Sequence, residues 1–117
     1  MGQIVVVNGG TAKDYKGFLE LADRAIATVE ADLPGTVRYE CFVDEATSRF
    51  VWHEAYADGA AILQHVQTFV EAGIVQEIPQ LMDFGFAVAL GDVDPDARAA
   101  LEQMGFGVYQ RHAGVIR

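Results

Sequence analysis

The sequence predicts an α+β domain of order β-α-β-β-α-β, the split βαβ or ferredoxin-like arrangement, followed by a short helix and a terminal strand. Two observations carry this. Runs of β-branched and aromatic residues are separated by two stretches whose apolar residues recur every three to four positions. The length of 117 residues, with 51% apolar and 21% charged residues, also fits one domain with a sizeable core (core about 3–90, extension about 91–117).

Gln3 to Val7 is a short β-branched run, and Asn8-Gly9-Gly10 after it reads as a turn. Thr11 is placed to cap a helix, with Asp14 three residues on in the position of a capping box. Tyr15, Phe18, Leu19, Ala22, Ala25, Ile26 and Val29 form the apolar stripe of that helix, which Leu33-Pro34-Gly35 stops. Thr36 to Val43 and Arg49 to Tyr56 are strands of a hairpin joined by the polar stretch Asp44 to Ser48. Alternation places Phe50, Trp52, Glu54 and Tyr56 on one face of the second strand, and Val51, His53 and Ala55 on the other.

Asp58 caps a second helix in which Ile62, His65, Val66, Phe69 and Val70 share a stripe, and Gly73 suits its left-handed end. A fourth strand spans about Met82 to Leu90, with large Phe84, Phe86, Val88 and Leu90 alternating with small Gly85, Ala87 and Ala89. Asp94-Pro95 opens a short helix that Gly105 closes, and Phe106 to His112 alternates as a last strand. The helices cover one sheet face. The other face is too apolar to leave in water, so a homodimer is expected, with the last strand on an exposed sheet edge, its own or the partner's.

Seventeen acidic residues against eight basic ones give a net charge of −9, which repels nucleic-acid backbones and anionic membranes. The opening MGQIVVVNGG lacks the basic and long apolar regions of a secretory signal, and no run reaches the roughly 20 apolar residues of a membrane span. A soluble, cytoplasmic protein is expected. A single cysteine, Cys41, excludes an internal disulfide framework and reads as a small buried hydrophobe. His53, His65 and His112 have no ligand-like spacing, so no metal is expected. Asn8-Gly9-Gly10-Thr11 and Gly105-Phe106-Gly107 match neither phosphate-binding fingerprint, and no nucleophile elbow is present.

The stretch Phe50 to His65 is more specific. Its Glu54, Tyr56, Asp58, Ala61 and His65 resemble the strand-to-helix hallmark of the antibiotic-biosynthesis monooxygenase superfamily, a family of dimeric α+β barrels. Gly35-Thr36-Val37-Arg38-Tyr39-Glu40 is similar to the start of that family's second strand, and the resemblance covers roughly residues 3–90. The segment from Gly91 onward matches an extension of only some members. Haem-degrading relatives combine an asparagine, a tryptophan and a histidine. Here Asn8 matches the first, but His65 and Val75 stand where the others belong, which disfavours haem degradation.

The resemblance implies oxygenation of a small aromatic, quinol or polyphenol by O₂ without metal or flavin. His65 is the candidate base, because an imidazole titrates near neutral pH and the apolar stripe aims it inward. Equally, it reads as a core histidine bonded to a strand residue. Trp52 and Tyr56 orient substrate, and Glu54 holds His65 or the phenol, if their face lines the pocket; otherwise His53 does. Asn8 donates to a substrate oxygen or shapes the turn. A non-catalytic dimeric binding or structural protein of the same fold, and an isomerase or lyase using His65 as proton shuttle, remain as alternatives.

Overall fold

The computed structural model describes residues 3–117. Its elements are β1 (Ile4–Ala12), α1 (Tyr15–Asp32), β2 (Thr36–Asp44), β3 (Arg49–Tyr56), α2 (Gly59–Glu71), α3 (Ile74–Leu81), β4 (Met82–Leu90), α4 (Pro95–Gln103) and β5 (Gly107–Tyr109). They form a five-stranded sheet of order β2-β3-β1-β4-β5, antiparallel except for the parallel pair β4–β5. None of the described helices is long and apolar enough to cross a membrane.

The first strand runs five residues beyond the expected Val7. Asn8, Gly9 and Gly10 are not a turn but the middle of β1, paired with β3 and β4 on either side. The glycines serve close backbone approach instead. A Cβ on Gly10 would lie 1.9 Å from the Asp83 carbonyl oxygen, where the β1–β4 register shifts and leaves Gly85 unpaired. Thr11 accordingly stays in the sheet, opposite Arg49 and Asp83, and does not cap α1. Asp14 does, accepting from the Gly17 amide at 3.1 Å.

Helix α2 begins as expected, with the Asp58 carboxylate accepting from the Ala61 amide at 2.9 Å, and Gly73 follows it at φ 76°. Helix α3 comes straight after, an element the sequence reading does not include. Its Ile74, Val75, Ile78 and Leu81 have helical spacing, but Pro79 lies among them, near the C-terminal end. The Arg24 guanidinium clamps α3 to α1 through both oxygens of Glu77, at 2.7 and 2.8 Å. The last strand is three residues long and pairs with β4 of its own chain.

Two apolar clusters lie between the sheet and the helices. One gathers Phe18, Leu21, Phe50, Trp52 and Phe69 under α1 and α2. The other gathers Ile4, Val6, Tyr56, Ile62, Ala89 and Leu101 beneath α2 and α4. Trp52 and Tyr56 belong to different clusters yet sit on one face of β3, with Glu54 between them. The opposite sheet face is uncovered by helices and carries Phe42, Val51 and Leu90 exposed, with Val5, Val7 and Val88 half-buried.

Candidate active site

A cavity of about 640 Å³ opens between the sheet and the helices. Its walls are mostly apolar: Val6, Trp52, Ile62, Val66, Phe69, Val75, Ile78, Met82, Phe84, Leu101, Met104 and Phe106 among them. Four polar side chains face it: Asn8, Glu54, Tyr56 and His65, all buried. The volume and the few convergent polar groups in an apolar wall are those of a small-molecule site.

The register brings these four together. Val6 pairs with Glu54 and Asn8 with Trp52, so even-numbered residues of both strands point toward the helices. The face carrying Trp52, Glu54 and Tyr56 therefore lines the cavity. His53 pairs with Val7 on the other face, where its Nδ1 lies 3.7 Å from Glu40, and so takes no part in the cavity. Sequence alternation separated the two faces but had no means of choosing between them, because the choice depends on pairing with β1.

Glu54 is the centre of the polar group. One carboxylate oxygen accepts from Asn8 Nδ2 at 2.9 Å and the other from the Tyr56 hydroxyl at 2.5 Å. Burial pushes the carboxyl up to about 7 from the ordinary 4.5, outweighing these two bonds, which lower its proton affinity. The Tyr56 hydroxyl is raised well above 10, by its own burial first and then by the Glu54 charge. Tyr39, opposite Glu54 on β2, is raised for the same two reasons in the same order.

His65 takes Thr36 as its partner, with Nδ1 3.1 Å from Oγ1, and not Glu54. Its ring packs against Phe69 at 4.1 Å between centroids, and against Tyr39 and Tyr56 at 5.2 Å each. Burial in this aromatic nest lowers the imidazole to about 4 from 6.5, so the ring is neutral at neutral pH. The near-neutral titration expected of this residue in isolation is thus displaced by its surroundings. The cavity walls also include residues that the sequence reading assigned no role: Val75 and Ile78 of α3, Leu101 of α4 and Met104 just after it. Among the described residues no three His, Cys, Asp or Glu side chains come together as a metal would need.

The model of the antibiotic biosynthesis monooxygenase family matches residues 10–71, more than half of the chain. Among curated proteins no sequence matches. MupZ from Pseudomonas fluorescens has a similar structure, with a TM-score of 0.83 and 15% identity over 100% of this chain and 96% of its own. SnoaB from Streptomyces nogalater, described as a cofactor-independent oxygenase, gives a TM-score of 0.67 at 16% identity, covering 80% of this chain and 96% of its own. Rv0793 from Mycobacterium tuberculosis gives 0.64 at 18% identity, over 80% and 97%. These similarities establish a common fold. With the Glu54-to-His65 strand and helix lying inside the matched span, the chain belongs to the antibiotic biosynthesis monooxygenase family.

Proposed function

We infer that this protein is a cofactor-independent oxygenase of a small, neutral hydroxyaromatic, such as a quinol or polyphenol. The observation that carries the reading is the composition of the cavity: a wide apolar wall with one buried hydrogen-bonded group, Asn8, Glu54 and Tyr56, at its sheet side and the neutral ring of His65 facing the cavity from α2. The flat substrate lies against Trp52 and Phe69, and its hydroxyl meets the polar group. Family membership and the likeness to SnoaB support oxygen chemistry over other uses of such a cavity.

The substrate supplies the electrons. Loss of the hydroxyl proton leaves an electron-rich anion that reduces O₂ by one electron, and the two radicals recombine where little water enters. One oxygen atom ends on the substrate. The other leaves as water with two hydrogens that the substrate gives up, so no outside reductant is needed. A second copy of the chain covers the open sheet face, burying Phe42, Val51 and Leu90 and closing the apolar surface into a homodimer.

Oxygen uptake tests the reading. Purified protein with a chelator present should consume O₂ when hydroquinones or polyphenols are added, above a boiled control. Thermal stabilisation by the same compounds without uptake would make the cavity a binding site only. Their conversion to an isomer or cleavage product without uptake would make it an isomerase or lyase.

A further inference from the structure

Glu54 accepts a hydrogen bond at each oxygen, and each oxygen keeps a lone pair for a further donor. The groups that face it are Asn8 from β1, Tyr39 from β2, Trp52 and Tyr56 from β3 and the neutral ring of His65 from α2. No lysine or arginine lines the cavity among the described residues. Once ionised, Glu54 is therefore a buried negative charge that no cation among the described lining residues balances.

We propose that Glu54 is the group that takes the substrate's hydroxyl proton, and that the cavity for this reason admits a neutral phenol, catechol or hydroquinone and rejects analogues bearing a carboxylate or phosphate. The proton-transfer role rests on the oxygenase reading; the selectivity does not. In the step, the substrate O–H bond breaks, its electron pair stays on the substrate oxygen, and the proton ends on a Glu54 carboxylate oxygen. The site carries a single negative charge before and after. Asn8 Nδ2 and the Tyr56 hydroxyl, which held the carboxylate, turn their hydrogens to the new oxyanion.

Transfer to His65 is a different matter. It would place an imidazolium, a phenolate and the Glu54 carboxylate together in an apolar cavity, creating two charges where Glu54 only moves one. The directions of the two titrations agree with this: burial raises Glu54 to about 7, within reach of a general base at working pH, and takes His65 down to about 4.

Binding of 2-naphthol, neutral across pH 5.5–8.5, separates the possibilities. Its affinity should rise roughly tenfold with pH, with a midpoint near 7 as Glu54 ionises, the scale of one hydrogen bond to a charged group. The rise should vanish for 2-methoxynaphthalene, which has no proton to give, and in Glu54→Gln; it should survive in His65→Gln. The anion 2-naphthoate should bind at least about tenfold more weakly than 2-naphthol at pH 8. With hydroquinone, kcat for O₂ uptake should fall about a hundredfold or more in Glu54→Gln and less than tenfold in His65→Gln. The carbonyl stretch of protonated Glu54 in the unaltered protein should disappear with pH over the same range, a measurement that needs no variant.

A pH rise that persists in Glu54→Gln, a flat profile in the unaltered protein, or no binding of 2-naphthol overturns the proposal. Full O₂ uptake by Glu54→Gln overturns the proton-transfer role and leaves the oxygenase reading standing. Absence of O₂ uptake with the pH-dependent binding intact overturns the oxygenase reading and leaves Glu54 as the selector.

Discussion

Asn8 bonds not to the residue it faces across the sheet but to the next inward-facing one. Its backbone partner on β3 is Trp52, yet its side-chain amide reaches diagonally to Glu54 at 2.9 Å. The contact joins residues 46 apart in sequence and exists only because β1 continues through its glycines. Had the chain turned at Asn8, Glu54 would have lost the donor at one of its oxygens.

Removing that donor should be visible as a titration. The Asn8 bond lowers the Glu54 pKa, so Asn8→Ala should move the midpoint upward from about 7. The carboxylate oxygen left without its partner should also cost about 1–3 kcal/mol of stability at pH 8. An infrared titration of the carboxyl band and denaturant unfolding check the two effects. A variant with an unmoved midpoint would show that Asn8 does not tune Glu54.

Glu54 and His65 should drive the pH dependence of stability in opposite directions. Folding raises Glu54 from 4.5 to about 7, so the folded state binds more protons and its stability falls as pH rises between those values. Folding lowers His65 from 6.5 to about 4, so the unfolded state binds more protons and stability rises over that interval. The two slopes largely cancel between about 4.5 and 6.5. Glu54→Gln should expose the rising slope and His65→Gln the falling one, each spanning about 2–4 kcal/mol from the pKa displacement. Unfolding curves taken at half-unit pH steps would read both.

The Gly10 position should admit no side chain. A Cβ there meets the Asp83 carbonyl at 1.9 Å, and backbone cannot swing aside as a side chain can. Gly10→Ala should lower stability by about 1–3 kcal/mol or more, the scale of overpacking. Gly73→Ala meets no atom within 4 Å and costs only the strain of φ 76°, so it should be the milder substitution. Melting temperatures of the two variants provide the comparison.

Val51→Glu places a charge in the middle of the open sheet face without touching the cavity side of β3. Sedimentation should find a dimer for the unaltered chain at micromolar concentration and a monomer for the variant. A monomer in both would remove the homodimer from the account.

Much of this architecture can be read from residue patterns, and the failures have particular causes. Met82–Leu90 and Arg49–Tyr56 have the bounds their alternation gives, and the stripe from Tyr15 to Val29 marks α1. Gly9 and Gly10 read as a turn because a glycine pair has the same appearance whether the chain reverses or another backbone presses close; only the pairing with β4 distinguishes them. Helix α3 hides behind Pro79, which removes one backbone bond from an eight-residue helix and so reads as a break. At the site, the family resemblance pointed to Asn8, Trp52, Glu54, Tyr56 and His65, with His53 as the residue of the other face, but their proton affinities did not follow. A histidine at 6.5 and a carboxyl at 4.5 exchange their order once both are buried, and burial is a property of the assembled layers.

The cavity divides along the chain. Trp52, Glu54, Tyr56 and His65 fall within residues 10–71, the span shared with the family, and Asn8 lies just ahead of it. Val75, Ile78, Met82, Phe84, Leu101, Met104 and Phe106, which add a further part of the wall to Val6, Ile62, Val66 and Phe69, all come after residue 71. The buried polar group and this further part of the wall therefore come from separate stretches of polypeptide. One can diverge while the other stays fixed, and exchanging residues 74–106 for those of a relative should change which small molecules the cavity holds while leaving the contacts of Glu54 as they are.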